Sequence, residues 1–195
     1  MPKLRFFYSV MGAGKSAHLL QTNHNFKTNN FKTLLLTSGL DDRDGMGKIS
    51  SRIGLQIPAF PVSQEESIMD LYNKHKDEKI DAIFIDEIQF FSPTQIEELS
   101  DIVDYLHVDV FCYGLKNNFK GELFSDAVER LLAICDYSEE IKSICHCGKK
   151  ANMVLRYDPV NMRIVRDGQI VEIGAEDRYA SVCRYHWKLG EIAKT

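Results

Sequence analysis

The sequence predicts an α/β fold: a mostly parallel sheet with flanking helices, followed by a small β-rich module. Three observations carry this reading. From residue 4 to about 137, short continuous apolar runs alternate with amphipathic segments of helical period, the pattern of parallel strands covered on both faces by crossover helices. A glycine-bearing turn, Gly12-Ala13-Gly14, stands between the first apolar run and the first helical segment. After about residue 138 the segments shorten and begin to alternate apolar with polar, which suits β-hairpins.

The elements follow in order. Residues 4–8 read as a strand, and residues 16–26 as a helix with Leu19, Leu20 and Phe26 among polar neighbours. Residues 33–37 form a second apolar run. Residues 38–61 carry glycines at 39, 45, 47 and 54 with no sustained period, and predict a long loop with short elements. Residues 67–76 are helical, with Ile68, Leu71 and Tyr72 on one face. Residues 82–85 are a short apolar strand, and residues 94–106 place Ile96, Leu99, Ile102, Val103 and Leu106 at helical spacing. Residues 108–113 are a strand and 123–134 a helix. In the second module residues 153–157 and 169–173 read as strands, with Asp167-Gly168 as a hairpin turn. The predicted division is a nucleotide-binding domain over 1–138 and a small metal-binding domain over 139–195.

Composition narrows the function. At 195 residues, with 44% hydrophobic and 27% charged, the chain can bury a sizeable core and is ordinary for a soluble globular protein. No run approaches the roughly 18 apolar residues of a membrane span, and the N-terminus leads directly into the first strand. These features predict a cytoplasmic protein without a membrane partner. The net charge is −4 with scattered Lys and Arg, which argues against long nucleic acid as the main partner but not against a nucleotide. The five cysteines form an odd set that does not suggest a disulfide framework. Cys112 and Cys135 fall in apolar runs and read as buried small hydrophobes.

Ser9-Val10-Met11-Gly12-Ala13-Gly14-Lys15-Ser16 joins the first strand to the first helix, the context of a phosphate-binding loop. Amides at a helix N-terminus face an anion and the helix dipole adds to the attraction. Lys15 would reach the outer phosphates, and the Ser16 hydroxyl would hold Mg²⁺. Ser9 stands where the pattern has its first glycine. The apolar strand 82–85 ends in Asp86-Glu87. Asp86 would lie near Mg²⁺, directly or through water, and Glu87 would take a proton or orient water. Phe90 and Phe91 read as core residues of the next turn, whereas Gln89 has no evident structural role in so apolar a stretch.

Cys145-His146-Cys147 is followed 36 residues after Cys147 by Cys183-Arg184-Tyr185-His186. Two pairs of soft ligands suit tetrahedral Zn²⁺ held by Cys145, Cys147, Cys183 and His186. A small module with few apolar residues needs such a staple. A site filled by four protein ligands is structural, because catalytic zinc keeps an open position.

Together these features resemble the zinc-containing, P-loop thymidine kinases of bacteria, some viruses and animal cytosol, over nearly the whole chain. Residues 7–16 are similar to the bacterial P-loop, where serine often takes the first position. Asp41-Asp42-Arg43 with residues 47–54, Asp86-Glu87-Ile88-Gln89-Phe90, and the loop from Tyr113 through Phe119 to Phe124 look like further family segments. Ile173-Gly174 and Tyr179 resemble the loop that closes over thymidine, with Ala175 where the family commonly has another glycine.

The resemblance implies a RecA-like P-loop domain plus a zinc-stapled β module carrying the closing loop. It implies transfer of the ATP γ-phosphate to thymidine, and to deoxyuridine, with Glu87 as general base. ATP would be held by residues 9–16 and by Asp86, Glu87, Ile88 and Gln89. Asp41 and Arg43 would support the phosphates. Phe119 would stack on thymine and Phe91 line its methyl pocket, with Ile170, Val171, Glu172, Ile173 and Gly174 reading the base and Tyr179 anchoring the loop. A homotetramer and feedback inhibition by dTTP are further implications.

Three readings compete, one of them a nucleoside kinase of another specificity, which side chains discriminate poorly. Asp86-Glu87-Ile88-Gln89 also resembles a helicase box, but 195 residues hold one ATPase domain rather than two, and no basic, aromatic-interleaved track is visible. A P-loop ATPase switch with a zinc-ribbon binding module would have no nucleoside pocket.

Overall fold

The computed structural model of the chain describes residues 1–40, 47–170 and 178–193. In chain order the larger part runs β1 (Leu4–Ser9), α1 (Lys15–Thr28), β2 (Thr33–Ser38), β3 (Lys48–Ser50), β4 (Gln56–Pro58), β5 (Phe60–Val62), α2 (Ile68–His75), β6 (Ala82–Ile85), α3 (Pro93–Leu106), β7 (Asp109–Leu115), α4 (Asp126–Ile134) and β8 (Tyr137–Glu140). Six of these strands form one sheet in the order β5-β2-β6-β7-β1-β8, and every pairing in it is parallel. This is the predicted α/β class. The strand carrying the glycine loop and the strand carrying the two acids flank β7, so both chain ends open on one edge of the sheet.

Side-chain alternation sorts the sheet into two faces. Phe6, Leu34, Leu36, Ile83, Ile85, Val110 and Cys112 pack with α2, α3 and α4 through Ile68, Ile96, Leu99, Ile102, Val128 and Leu131. Their neighbours Phe7, Leu35, Phe84, Phe111 and Tyr113 pack on the other face with Leu19 and Leu20 of α1 and Ile49 of β3. One residue of register slip would exchange these two sets. Helix starts are set locally. Ser92 and Gln95 make a capping box before Pro93 at the first turn of α3. Ser67 and Ser125 cap α2 and α4.

Two strands lie beyond the apolar runs that predict them. β5, Phe60-Pro61-Val62, falls in the expected loop and pairs with β2 at the sheet edge. β8, Tyr-Ser-Glu-Glu, pairs with β1 at the other edge and is largely exposed. Edge strands need no apolar run, and proline is tolerated there. β8 also carries the central sheet across the expected 138/139 division, to Glu140. Cys112 is buried as expected, whereas Cys135 is only half-buried.

The remaining elements are β9 (Ser143–Ile144), β10 (Lys150–Ala151), β11 (Met153–Tyr157), β12 (Ile164–Val165), β13 (Tyr179–Val182) and α5 (Arg184–Leu189). β9 and β10 form a hairpin, and β12-β11-β13 an antiparallel sheet. The β11–β12 turn is at residues 158–163, where the Asp158 carboxylate accepts from the Val160 amide at 2.9 Å and the Asn161 carboxamide at 2.8 Å. The turn expected at Asp167-Gly168 is therefore misplaced, and Gln169 and Ile170 are not in a strand. An Asx turn without glycine took the role assigned to Asp-Gly. Among the described residues no helix is long and apolar enough to cross a membrane.

Candidate active site

The loop after β1 enters α1 through Gly12 (φ 70°) and Gly14 (φ 83°), a left-handed pair that glycine adopts at low cost. Gly14 caps α1 without a side-chain bond, leaving the first-turn amides to an anion. Lys15 is 8% exposed, and its Nζ donates to the Val10 carbonyl at 3.0 Å. The Ser9 hydroxyl donates to the carbonyl of Ile141, tying the start of the loop to the chain just after β8. That bond accounts for serine where the motif has glycine. Val10, Met11 and Ala13 face the small module and pack in its core, and the Met11 carbonyl accepts from Ser181 Oγ at 2.8 Å.

Asp86 and Glu87 follow β6. Asp86 is buried, accepts from the Ser16 hydroxyl and from the Glu87 amide at 3.0 Å, and lies near the Lys15 ammonium. Burial first, and the Glu87 charge second, push its carboxyl up to about 7, against the opposing pull of Ser16, Lys15 and the Glu87 amide. Glu87 takes a left-handed backbone conformation, φ 55° and ψ 39°. This is a strained choice for a side chain with a Cβ, of the kind found at functional sites. The chain then turns through a single 3₁₀ turn, Ile88–Phe90. Ile88 and Phe91 enter the hydrophobic core. Gln89 also points inward and bonds Glu87 and β7.

Of the residues expected at the acceptor side, Phe119 and Tyr179 come together beside the small module, whereas Phe91 lies in the core on the α2–α4 face of the sheet. Phe119 is buried, with Tyr179 at a ring-centroid distance of 6.5 Å and the Arg156 guanidinium 5.2 Å from its ring centre. Trp187 Nε1 donates to the Phe119 carbonyl at 3.1 Å. Arg156 Nη1 donates to the Gln169 carbonyl at 2.8 Å, next to half-buried Ile170. Asp41, Arg43, Val171, Glu172, Ile173 and Gly174 lie outside the described residues. Two arginines to which the sequence reading assigns no role stand at the site. Arg52, in the β3–β4 turn, brings Nη1 to 3.1 Å from where a Cβ on Gly12 would be. The other is Arg156. Arg52 lies in the segment 47–54 and Arg156 in a predicted strand, but only the fold shows what each stands beside.

Cys145, Cys147, Cys183 and His186 place their ligand atoms within 4.8 Å of one another. The Cys147–Cys183 sulfurs are 3.9 Å apart, and His186 Nδ1 is 3.3 Å from Cys145 Sγ and 3.6 Å from Cys183 Sγ. A tetrahedral Zn²⁺ with ordinary bond lengths has edges of about 3.4–3.8 Å, so the donor set fits this ion in kind and spacing. Gly148 (φ 81°) turns the first pair, with its amide donating to the Cys145 carbonyl at 2.8 Å. The helix start of α5 delivers the second pair, where the His186 amide lowers the Cys183 thiol. His146 stacks on the His186 ring at 4.2 Å.

A sequence profile for thymidine kinase matches residues 2–187. The thymidine kinase of Haemophilus influenzae (strain ATCC 51907 / DSM 11121 / KW20 / Rd) is 46% identical over 189 residues, spanning 96% of this chain and 97% of that one. The thymidine kinase of Escherichia coli (strain K12) is 46% identical over 189 residues, 96% of this chain and 91% of that one. That of Colwellia psychrerythraea (strain 34H / ATCC BAA-681) is 44% identical over 189 residues, 96% and 97%.

Proposed function

The chain belongs to the thymidine kinase family, and from that premise we propose how its residues divide the transfer of phosphate from ATP to the 5′-hydroxyl of thymidine. The observation that carries the proposal is the meeting of β1 and β6 ends, where Lys15, Ser16, Asp86 and Glu87 converge.

The amides of residues 9–16 and the Lys15 ammonium bind the phosphates of ATP and disperse charge on the β/γ oxygens. Arg52 adds a cation beside the glycine loop, and Asp41 and Arg43 support the phosphates. Ser16 and Asp86 would hold Mg²⁺, which would supply further neutralisation of the phosphate charge. Glu87 accepts the proton of the 5′-hydroxyl as the new O–P bond forms and the bond to the β/γ bridging oxygen breaks, giving dTMP and ADP. Phe119 stacks on thymine, Phe91 backs the methyl pocket, and residues 170–174 close over the base with Tyr179 as their anchor. Closure excludes water, which would otherwise accept the phosphoryl group. Cys145, Cys147, Cys183 and His186 would hold a structural Zn²⁺, which would supply a cross-link within the small module.

Nucleotide salvage in the cytoplasm, deoxyuridine as a second acceptor, a homotetrameric state and feedback inhibition by dTTP complete the proposal. The inhibitor presents both a thymine for Phe119 and phosphates for the glycine loop. A nucleoside panel with ATP and Mg²⁺, read as monophosphate formed, tests the reading. Transfer to thymidine is expected. No transfer to thymidine or deoxyuridine would overturn it in favour of an ATPase.

A further inference from the structure

Gln89 is 2% exposed, and both ends of its carboxamide are engaged inside the protein. Its Oε1 accepts from the Leu115 amide at 3.0 Å. Its Nε2 donates to Glu87 Oε2 at 2.5 Å. The Leu115 N–H can face only the oxygen, so the NH₂ end must face the carboxylate. The backbone is pinned as well, because Ser125 Oγ donates to the Gln89 carbonyl at 2.8 Å.

The surroundings are shaped to this side chain. A Cβ on Gly114 would stand 2.5 Å from Gln89 Oε1 and 2.7 Å from Ile88 Cγ2, closer than real contacts allow. Glycine at 114 therefore makes room for the carboxamide between β7 and the turn after β6. The left-handed backbone at Glu87 and the 3₁₀ turn after it bring side chains two residues apart onto each other. β7, the strand between the two site-bearing strands, thereby reaches the reacting carboxylate through one glutamine.

We infer that Gln89 is a positioning residue: it fixes the Glu87 carboxylate for proton abstraction and does not touch the nucleotide. A glutamate side chain carries several freely turning bonds whose entropy is lost on fixing. A rigid donor removes that freedom before substrate arrives, and misplacement of a reacting group by about 1 Å can cost about 100-fold in rate. This inference rests on Glu87 being the general base.

The test is Gln89→Glu, measured by single-turnover transfer from ATP to thymidine at neutral pH. Glutamate keeps an oxygen for the Leu115 amide but replaces the N–H facing Glu87 with a second carboxyl, whose proximity alone would raise the pKa of the pair. Gln89→Met carries no such charge and must show the same loss. The expected result is a rate about 10- to 100-fold lower, with the apparent affinities for ATP and thymidine within about twofold of wild type. Gln89→Met, uncharged and similar in length, is measured beside Gln89→Glu and read in the same way. A rate within about twofold of wild type overturns the inference, as does a rise in the ATP KM with the rate retained, which would make Gln89 a nucleotide contact. Glu87→Gln separates the two levels. Turnover by that variant refutes the general base itself, whereas a dead Glu87→Gln beside a fully active Gln89→Glu refutes the positioning role alone.

Discussion

Lys15 Nζ donates to the carbonyl of Val10, five residues earlier in the same loop, at 3.0 Å. The ammonium is thus held across the concavity of the glycine turn rather than extended into solvent. A buried cation placed this way meets phosphate oxygens without first being ordered. Lys15→Ala should lower kcat/KM for ATP by about 100- to 1,000-fold, the cost of removing one preorganised donor. Steady-state kinetics against ATP at saturating thymidine checks this. Lys15→Arg should not restore the rate, because the guanidinium is larger and planar.

Glu87→Gln should lower the transfer rate by about 100- to 10,000-fold, the range for losing a general base. ATP binding, followed by calorimetry, should stay within a few-fold of wild type. Retained turnover would remove Glu87 from its role.

Asp86 predicts a pH-dependent stability. Its folded carboxyl titrates at about 7, against 3.8 for an unperturbed one, chiefly because it is buried. A carboxyl with a raised folded pKa binds more protons in the folded state, so this group lowers unfolding free energy progressively as pH rises between about 4 and 7. Asp86→Asn abolishes that titration while keeping an oxygen for the Ser16 hydroxyl. Without added metal or nucleotide it should melt several degrees above wild type at pH 7.5 and show a much smaller gain at pH 5. Equal gains at both pH values would contradict this account.

Metal analysis of the purified chain should find about one Zn per chain. Cys145→Ser or Cys183→Ser should lose the metal and lower the melting temperature, because metal binding at such a site is coupled to folding. Full stability and activity in a metal-free preparation would refute the site.

Legibility in the sequence followed burial. The strand Ala82–Ile85 is readable to the residue because all four side chains are buried, and a run that is apolar on both faces has few other homes. The Cys/His cluster is readable because its four residues come in two short-range pairs. β5 and β8 are not, since edge strands are held by backbone bonds that any sequence can make. Arg52 and Arg156 are equally silent, because their roles come from what the fold lays beside them. Gln89 is an intermediate case: the sequence marks it as a polar residue without a reason, and the reason is the amide of Leu115, 26 residues away.

The bond from Ser181 to the Met11 carbonyl, with Val10 buried in the same cluster as Cys145 and Cys183, bears on how such a chain can be inherited. The glycine loop uses the C-terminal β module as its floor, so its outer side is complete only when both segments are present. Recombination that exchanged one segment for a foreign counterpart would expose Val10 and Met11 and leave the loop without its backing. The two pieces therefore have to be passed on together, and size changes at Val10 or Met11 should be tolerated only with matching changes at Ser181 or Val182.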